Sequence, residues 1–473
     1  MNSTFVTTTI PYVNARPHLG FALELVQADC LARFHRKIGG PVHLQTGTDE
    51  NAFKNVEAAR LNNTTPQEWV NQYAGHFRDL ALQLNIQFDD FVRTTESRHR
   101  ETVHEVLARL NPADLERRSY QGLYCKGCED FWLERDAPKL QCPEHGTPLT
   151  PIEEENIFFL LSRYQKQIET LIETNAIQIR PPERRNEILA FVKRGLQDIS
   201  ISRSTIRSDG WGIPFPGATD QVVYVWIDAL INYLVPQNRD ENWWSEKTRK
   251  IHVLGKNVWK FHAIYWPALL LSCGEPLPDE LIIHGFVTID GRKISKSSGP
   301  TVDPADLIRR FGADPLRFYL LHEIPAFSDG DFSLVRLEKV YEDYFADGLG
   351  NLTSRLLTLA ERAGLAALTP LTHPLPDQIT EAFRAVRFGA YLDHLWTGID
   401  DLNREIEQER PWEWLKADEI ARTRERCSEW LQCLYHLAFW LEPALPETSV
   451  RLIRQLTAQP LAKTVPLFPR LIN

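Results

Sequence analysis

Apolar and β-branched residues run together through TFVTTTI (4–10), give way to a helix-spaced pattern over 18–35, and return as PVHLQTG (41–47). Strand, helix and strand at that spacing predict a βαβ unit, and with it a parallel, doubly wound α/β sheet. Helical periodicity continues to about residue 110 and breaks over 119–150, where short polar turns carry Cys125, Cys128, Cys142 and His145. Strand character resumes in QVVYVWIDALINYL from 221, in KIHVLGKNV (250–258) and in ELIIHGFVTID (280–290). The sheet begun at residue 4 is therefore expected to be split by an insertion. From FSLVRLEKV onward the spacing is that of amphipathic helices, broken at TPLTHPLPDQ (369–378) and LEPALPETS (441–449), which predicts a helical bundle.

A chain of 473 residues exceeds what one core spans, so several packed units are expected. Hydrophobic residues make up 43% and charged residues 25%, ordinary for a globular protein. No apolar stretch reaches the roughly 18–20 residues of a membrane span, and no basic-then-apolar leader opens the chain. A cytoplasmic enzyme with no membrane partner is the expectation. A formal net charge of -10 argues against nonspecific coating of nucleic acid. Local basic faces remain at 93–101, 180–194 and 422–427, each of which also reads as a solvated helix surface.

The cysteines of CKGC (125–128) and CPEH (142–145) carry more information. Cys125, Cys128, Cys142 and His145 form two ligand pairs whose three thiolates and one imidazole suit tetrahedral Zn²⁺. With all four positions filled by protein, such a site is structural. Cys30, Cys273, Cys427 and Cys433 lie in apolar helical contexts and read as core residues.

Two motifs suggest a phosphate site. PHLG (17–20) stands at a strand-to-helix turn, where unpaired N–H groups and the positive end of a helix dipole favour an anion. Pro17 fixes the turn, Gly20 permits close backbone approach, and His18 offers a donor. KISKS (293–297), flanked by Gly291 and Gly299, reads as a mobile cationic loop for a polyphosphate, or by itself as a common surface loop. Each is expected at the end of a strand of the same sheet, the edge where open parallel sheets bind ligands.

These signatures resemble the His-x-Gly-His turn and Lys-x-Ser-Lys-Ser loop of class I aminoacyl-tRNA synthetases. Over nearly its whole length the chain is similar to the methionyl-tRNA synthetases. IPYVNARPHLG, TGTDE, YCKGCEDF, CPEHGTPL, EEENIFFLLSRY, WGIPFPG, YVWIDALINYL, GKNVWKFHAIYWPALL, HGFVTIDGRKISKS and GLGNLTSR stand in the family's order. The resemblance implies a class I, Rossmann-type catalytic domain (1–116 and 217–340), a connective insertion with a zinc knuckle (117–216) and an all-α anticodon-binding domain (341–473). It implies activation of methionine by ATP, with substrate-associated Mg²⁺, and attachment of the product to tRNA(Met). A monomer is expected, and an insertion too short for a separate editing domain.

Carried onto this chain, the family's roles give an ATP site of His18, Gly20, Lys293, Ser295, Lys296 and Ser297, with His18, Lys293 and Lys296 catalytic. Ile10, Tyr12, Asp49, Trp226, Ala229, Tyr233, Val258 and His262 resemble the methionine pocket, Asp49 facing the ammonium. The aromatic residues suit a thioether, though spacing alone reads them as core. Asn351, Arg355 and Trp412 stand where the family reads the CAU anticodon, and a stacking ring with amide and guanidinium donors suits splayed bases.

The chain departs from the family at Phe21, where the signature has its second histidine, and at Asn51-Ala52-Phe53, where His-Gly-Gln is usual. A phenyl ring donates no hydrogen bond, and a lost donor to developing charge costs a factor of about 10² to 10³. Alongside a working methionine ligase, two alternatives stay open: a paralogue with a different amino acid or acceptor, and a tRNA-binding or regulatory protein with reduced or no catalysis.

Overall fold

The computed structural model describes residues 3–125, 130–132, 137, 139–143, 146–236, 242–289, 291–293, 302–371, 374–462 and 465–471. Six strands make one parallel sheet: β1 (Ser3–Thr8), β2 (Val42–Thr48), β3 (Asp90–Arg93), β4 (Gln178–Arg180), β5 (Thr248–Gly255) and β6 (Glu280–His284). Their order is β3-β2-β1-β5-β6-β4. The chain winds outward one way from β1 and the other way from β5, so the topological switch lies between those two strands. Crevices for ligands form there, beyond the carboxyl ends of the strands. Strand β1 is buried on both faces, Val6 meeting one core and Phe5 the other, as a parallel sheet demands.

Helix α1 (Leu19–Lys37) follows β1, capped by His18 and carrying Arg36 and Lys37 in its last turn, where cations complement the dipole. Helix α2 (Pro66–Gln83) starts in a capping box formed by Thr65 and Glu68. Helix α3 (Ser97–Arg109) follows β3. Gly47 in β2 is obligatory, because a Cβ there would sit 2.0 Å from the Val92 carbonyl oxygen.

Two strand expectations need correction. QVVYVWIDALINYL adds nothing to the six-stranded sheet: Ala218–Val223 pairs in a separate three-stranded sheet, and the chain continues as helix α4 (Val225–Ile231). A short run of apolar residues looks alike whether it is a buried strand or a buried helix. KISKS likewise does not leave the main sheet. After β6, Gly285 lies so close to the backbone of Ser328 that a Cβ would fall 2.2 Å from its carbonyl carbon. The chain then enters a small second sheet, in which Val287–Ile289 pairs with Arg292–Lys293 and Gly330–Phe332.

Across the 117 boundary of the segment 117–216, Leu115–Cys125 and Thr150–Phe159 form a long antiparallel hairpin, with Asp130–Trp132 and Ile199–Ser200 on its flanks. Strand β4 also comes from this segment, yet it pairs with β6 at the edge of the main sheet. The helical part begins with a run over 334–362 whose middle, Tyr341–Gly350, is π-helical, so the run crosses residue 340. Asp377–Arg384, Phe388–Glu409, Pro411–Lys416, Ile420–Leu441 and Pro446–Leu456 complete it. Cys30 and Cys427 are buried and Cys273 is half-buried, but Cys433 is exposed, on the outward face of its helix. Among the described residues no helix is long and apolar enough to cross a membrane.

Candidate active site

The turn between β1 and α1 is built by His18 itself. Its Nδ1 accepts the Gly20 N–H at 3.0 Å and the Phe21 N–H at 3.4 Å. An accepting Nδ1 places the ring proton on Nε2, which becomes the donor. Gly20 is needed because the ring lies against it: a Cβ would sit 2.9 Å from His18 Cε1. This revises the sequence reading, in which the helix N–H groups waited for a phosphate. The first of them are occupied by the histidine.

Phe21 points away from that turn. It is 6% exposed and packs edge-on against Phe77 of α2, with ring centroids 5.2 Å apart. Lys293 is placed by its backbone, paired with Thr288. Ser295, Lys296 and Ser297 lie outside the described residues. The segment that follows them returns to the turn: Arg16 Nη1 stands 3.9 Å from Asp303 Oδ2, and Asp303 caps the helix Pro304–Phe311.

The residues expected to hold the amino acid come together on the other side of β1. Tyr12 and Asp49 form an isolated parallel bridge, and the Asp49 N–H donates to the Pro11 carbonyl at 2.9 Å. Ile10 borders Gly47, its Cγ2 3.1 Å from where a Cβ would be. The Tyr12 ring faces Trp226 with centroids 5.7 Å apart, and Trp226 stacks on Phe261 at 3.9 Å. Ala229 follows one turn along α4 and is buried. Deeper, Tyr233 and His262 meet, Oη to Nε2, at 2.7 Å, while His262 Nδ1 lies 3.0 Å from the Val258 carbonyl oxygen. A carbonyl only accepts, so Nδ1 carries the proton and the tyrosine hydroxyl donates to Nε2. Burial lowers the His262 pKa to about 4, against a rise from the Val258 hydrogen bond, so the ring is neutral at physiological pH.

Sequence reasoning passed over several buried polar residues that tie these parts together. Glu24, inside α1, accepts from the Thr9 N–H (2.7 Å) and hydroxyl (2.5 Å) and lies 2.9 Å from His284 Nε2 at the end of β6. An acid in an apolar helical stretch one turn after Gly20 was the available signal. Glu50 is fully buried and held by Arg93, with Nε 2.6 Å from Oε1. Asp228 sits within α4 between His99 and Asn51.

Two of the four expected zinc ligands are described, and both are buried. Cys125 ends its hairpin strand and Cys142 opens a turn in which the Gly146 N–H donates to the Cys142 carbonyl at 2.7 Å. They share one small cluster with Ala137 and Leu149, and Cys125 Sγ stands 3.9 Å from Thr147 Oγ1. Cys128 and His145 lie outside the described residues. Among the described residues no group of three His, Cys, Asp or Glu is placed to hold a metal ion.

Arg355 and Trp412 are brought together, the guanidinium 5.8 Å from the indole ring and 2.7 Å from Glu407, while Asn351 is exposed one turn earlier on the same helix. In the basic stretches, Arg93 and Arg98 pair with Glu50 and Asp90, Arg180 with Glu280, and Arg426 with Glu405 and Glu409. Much of that charge is balanced by the protein's own carboxylates.

A doubly wound parallel sheet, split by an insertion, with a histidine-capped turn at its switch point and an attached set of helices, defines the class I aminoacyl-tRNA synthetase architecture. The sequence matches the family model described as tRNA synthetases class I (M) over residues 4–150 and 144–357. The methionine–tRNA ligase of Fusobacterium nucleatum is 36% identical over 475 residues, covering 96% of this chain and 74% of its own length. That of Thermosynechococcus vestitus is 36% identical over 479 residues, covering 95% and 89%. The crystal structure of Mycobacterium tuberculosis methionyl-tRNA synthetase bound by methionyl-adenylate matches with a TM-score of 0.90 at 32% identity, covering 99% of this chain and all of that one. The chain belongs to the methionyl family of class I tRNA synthetases.

Proposed function

We propose that the protein activates methionine with ATP and attaches it to tRNA(Met). The methionine carboxylate attacks the α-phosphorus, the bond to pyrophosphate breaks, and a ribose hydroxyl at the tRNA terminus then displaces AMP from the adenylate. Such chemistry asks the protein for positioning and charge stabilisation more than for covalent participation. His18 donates from Nε2 to the ATP phosphates, with Gly20 keeping the ring in place. Lys293 and Lys296, with Ser295 and Ser297, neutralise the departing pyrophosphate, whose charge Mg²⁺ shares. Asp49 takes the substrate ammonium. Ile10, Tyr12, Trp226, Ala229, Tyr233, Val258 and His262 enclose the thioether.

Residues 1–116 and 217–340 supply the catalytic part, and 117–216 the insertion, where Cys125, Cys128, Cys142 and His145 hold a structural Zn²⁺. In 341–473, Asn351, Arg355 and Trp412 read the anticodon. The joint burial of Cys125 and Cys142 in one cluster supports the zinc reading.

The observation that carries the functional reading is the bridge of Asp49 to Tyr12, whose ring faces Trp226: a buried carboxylate beside an aromatic wall suits an apolar α-amino acid. ATP–pyrophosphate exchange with each of the twenty amino acids tests it. Exchange dependent on methionine is expected. Exchange with another amino acid would redirect the specificity, and none at all would leave a tRNA-binding protein.

A further inference from the structure

Asn51 departs from the family pattern, and its surroundings give it a use. Its side-chain amide donates both hydrogens, one to Asp228 Oδ2 at 2.7 Å and one to the Thr94 carbonyl at 3.2 Å. The other oxygen of Asp228 lies 2.5 Å from His99 Nε2. Asp228 and His99 are at most 1% exposed, and Asn51 is 7% exposed. A buried carboxylate is tolerated only with partners on its oxygens, and here the two partners come from the β2–α2 connection and from α3. Asn51 Oδ1 and His99 Nδ1 are buried with no hydrogen-bond partner among the described residues, so the hydrogen bonding of the His99 ring there is to Asp228. An amide nitrogen carries the two hydrogens that this geometry uses, whereas a single imidazole nitrogen carries at most one.

The network spans the two sides of the amino-acid site. The backbone N–H of Asn51 donates to Asp49 Oδ1 at 3.3 Å, so the residue clamped to Asp228 also steadies the carboxylate assigned to the ammonium. Asp228 belongs to the short helix α4, which carries Trp226 and Ala229 of the pocket wall. We propose that Asn51 is a positioning residue that, through Asp228 and His99, sets the gap between Asp49 and the Trp226–Ala229 wall, and with it the affinity for the amino acid. This rests on reading Asp49 as the ammonium acceptor.

Exchange kinetics on Asn51→Ala, on the isosteric Asp228→Asn and on the double variant test it, with thermal melting recorded for each. Each single change is expected to raise KM for methionine about 10- to 100-fold, the range of one charge-assisted hydrogen bond, with KM for ATP moved by no more than about twofold. Because the residues act as a unit, the double variant should be no worse than the worse single. Methionine binding without ATP, followed by calorimetry at low temperature, gives the same comparison if Asn51→Ala melts early. Folded variants with an unmoved methionine KM, or with effects that add, overturn the proposal while leaving the functional reading intact. A parent chain without amino-acid-dependent exchange overturns both.

Discussion

Arg16 and Asp303 face each other across 3.9 Å, joining the residue before the Pro17-His18 turn to the residue that closes the KISKS segment. Both are solvent-exposed, so the pair itself contributes less than about 1 kcal/mol. Its meaning is geometric: the downstream anchor of the lysine loop sits at the histidine turn. Lys296→Ala is accordingly expected to lower kcat for methionine-dependent exchange about 10²-fold, with methionine binding by calorimetry unchanged. Equal exchange in variant and parent would remove the loop from the mechanism.

Phe21→His is expected to damage the protein rather than repair a signature. The ring at 21 is buried against Phe77, and an imidazole placed there trades an aromatic contact for a polar group without a partner. A loss of about 1–3 kcal/mol in urea unfolding is expected, with no gain in exchange rate. A faster variant would mean that the site lacks a donor that histidine restores.

Gly20→Ala tests the histidine directly. The new methyl would fall 2.9 Å from His18 Cε1, so the imidazole must swing away and lose its hold on the helix N–H groups. The clash is with a side chain rather than with backbone, so the fold is expected to survive. An exchange kcat lower by about 10², with a melting temperature lowered only by the loss of the cap, about 0.5–2 kcal/mol, is the expected outcome.

Acid should destabilise the protein through the buried His252 and His262 and the half-buried His35. The folded pKa of His262 is about 4 against 6.5 for the free residue, because burial disfavours the charged ring. His35, with a pKa also near 4, and His252 shift the same way, burial again being the main cause. In the interval between, the unfolded chain binds the extra proton. This contribution is therefore complete above pH 6.5 and is lost as the pH falls toward 4, on the order of 3 kcal/mol for His262. Urea midpoints from pH 7 to 4 should trace that loss, and His262→Asn should make the slope shallower.

Trp412→Ala and Arg355→Ala should separate the two half-reactions. The indole and guanidinium stand together far along the chain from the amino-acid pocket, and a stacked base is worth about 1–3 kcal/mol. tRNA charging efficiency is expected to fall about 10- to 100-fold while ATP–pyrophosphate exchange is unaltered. A matched fall in both assays would place these residues outside tRNA recognition.

Sequence periodicity and motif order determined most of the architecture by themselves: the βαβ start, the split sheet, the helical C-terminal region and the membership of a synthetase family. These are legible because local spacing of apolar residues reports directly on which faces are buried. The proposed amino-acid pocket is suggested only through resemblance, since Tyr12, Trp226 and Tyr233 have the spacing of ordinary core residues. Tertiary structure alone decided that VWIDALI is a helix and that the chain leaves the main sheet at Gly285 and pairs Lys293 in a separate small sheet, for an apolar run does not reveal which neighbours cover it. It alone turned Phe21 and Asn51 from apparent defects into residues with internal partners, because a side chain's role depends on what the fold brings against it from strands and helices distant in sequence.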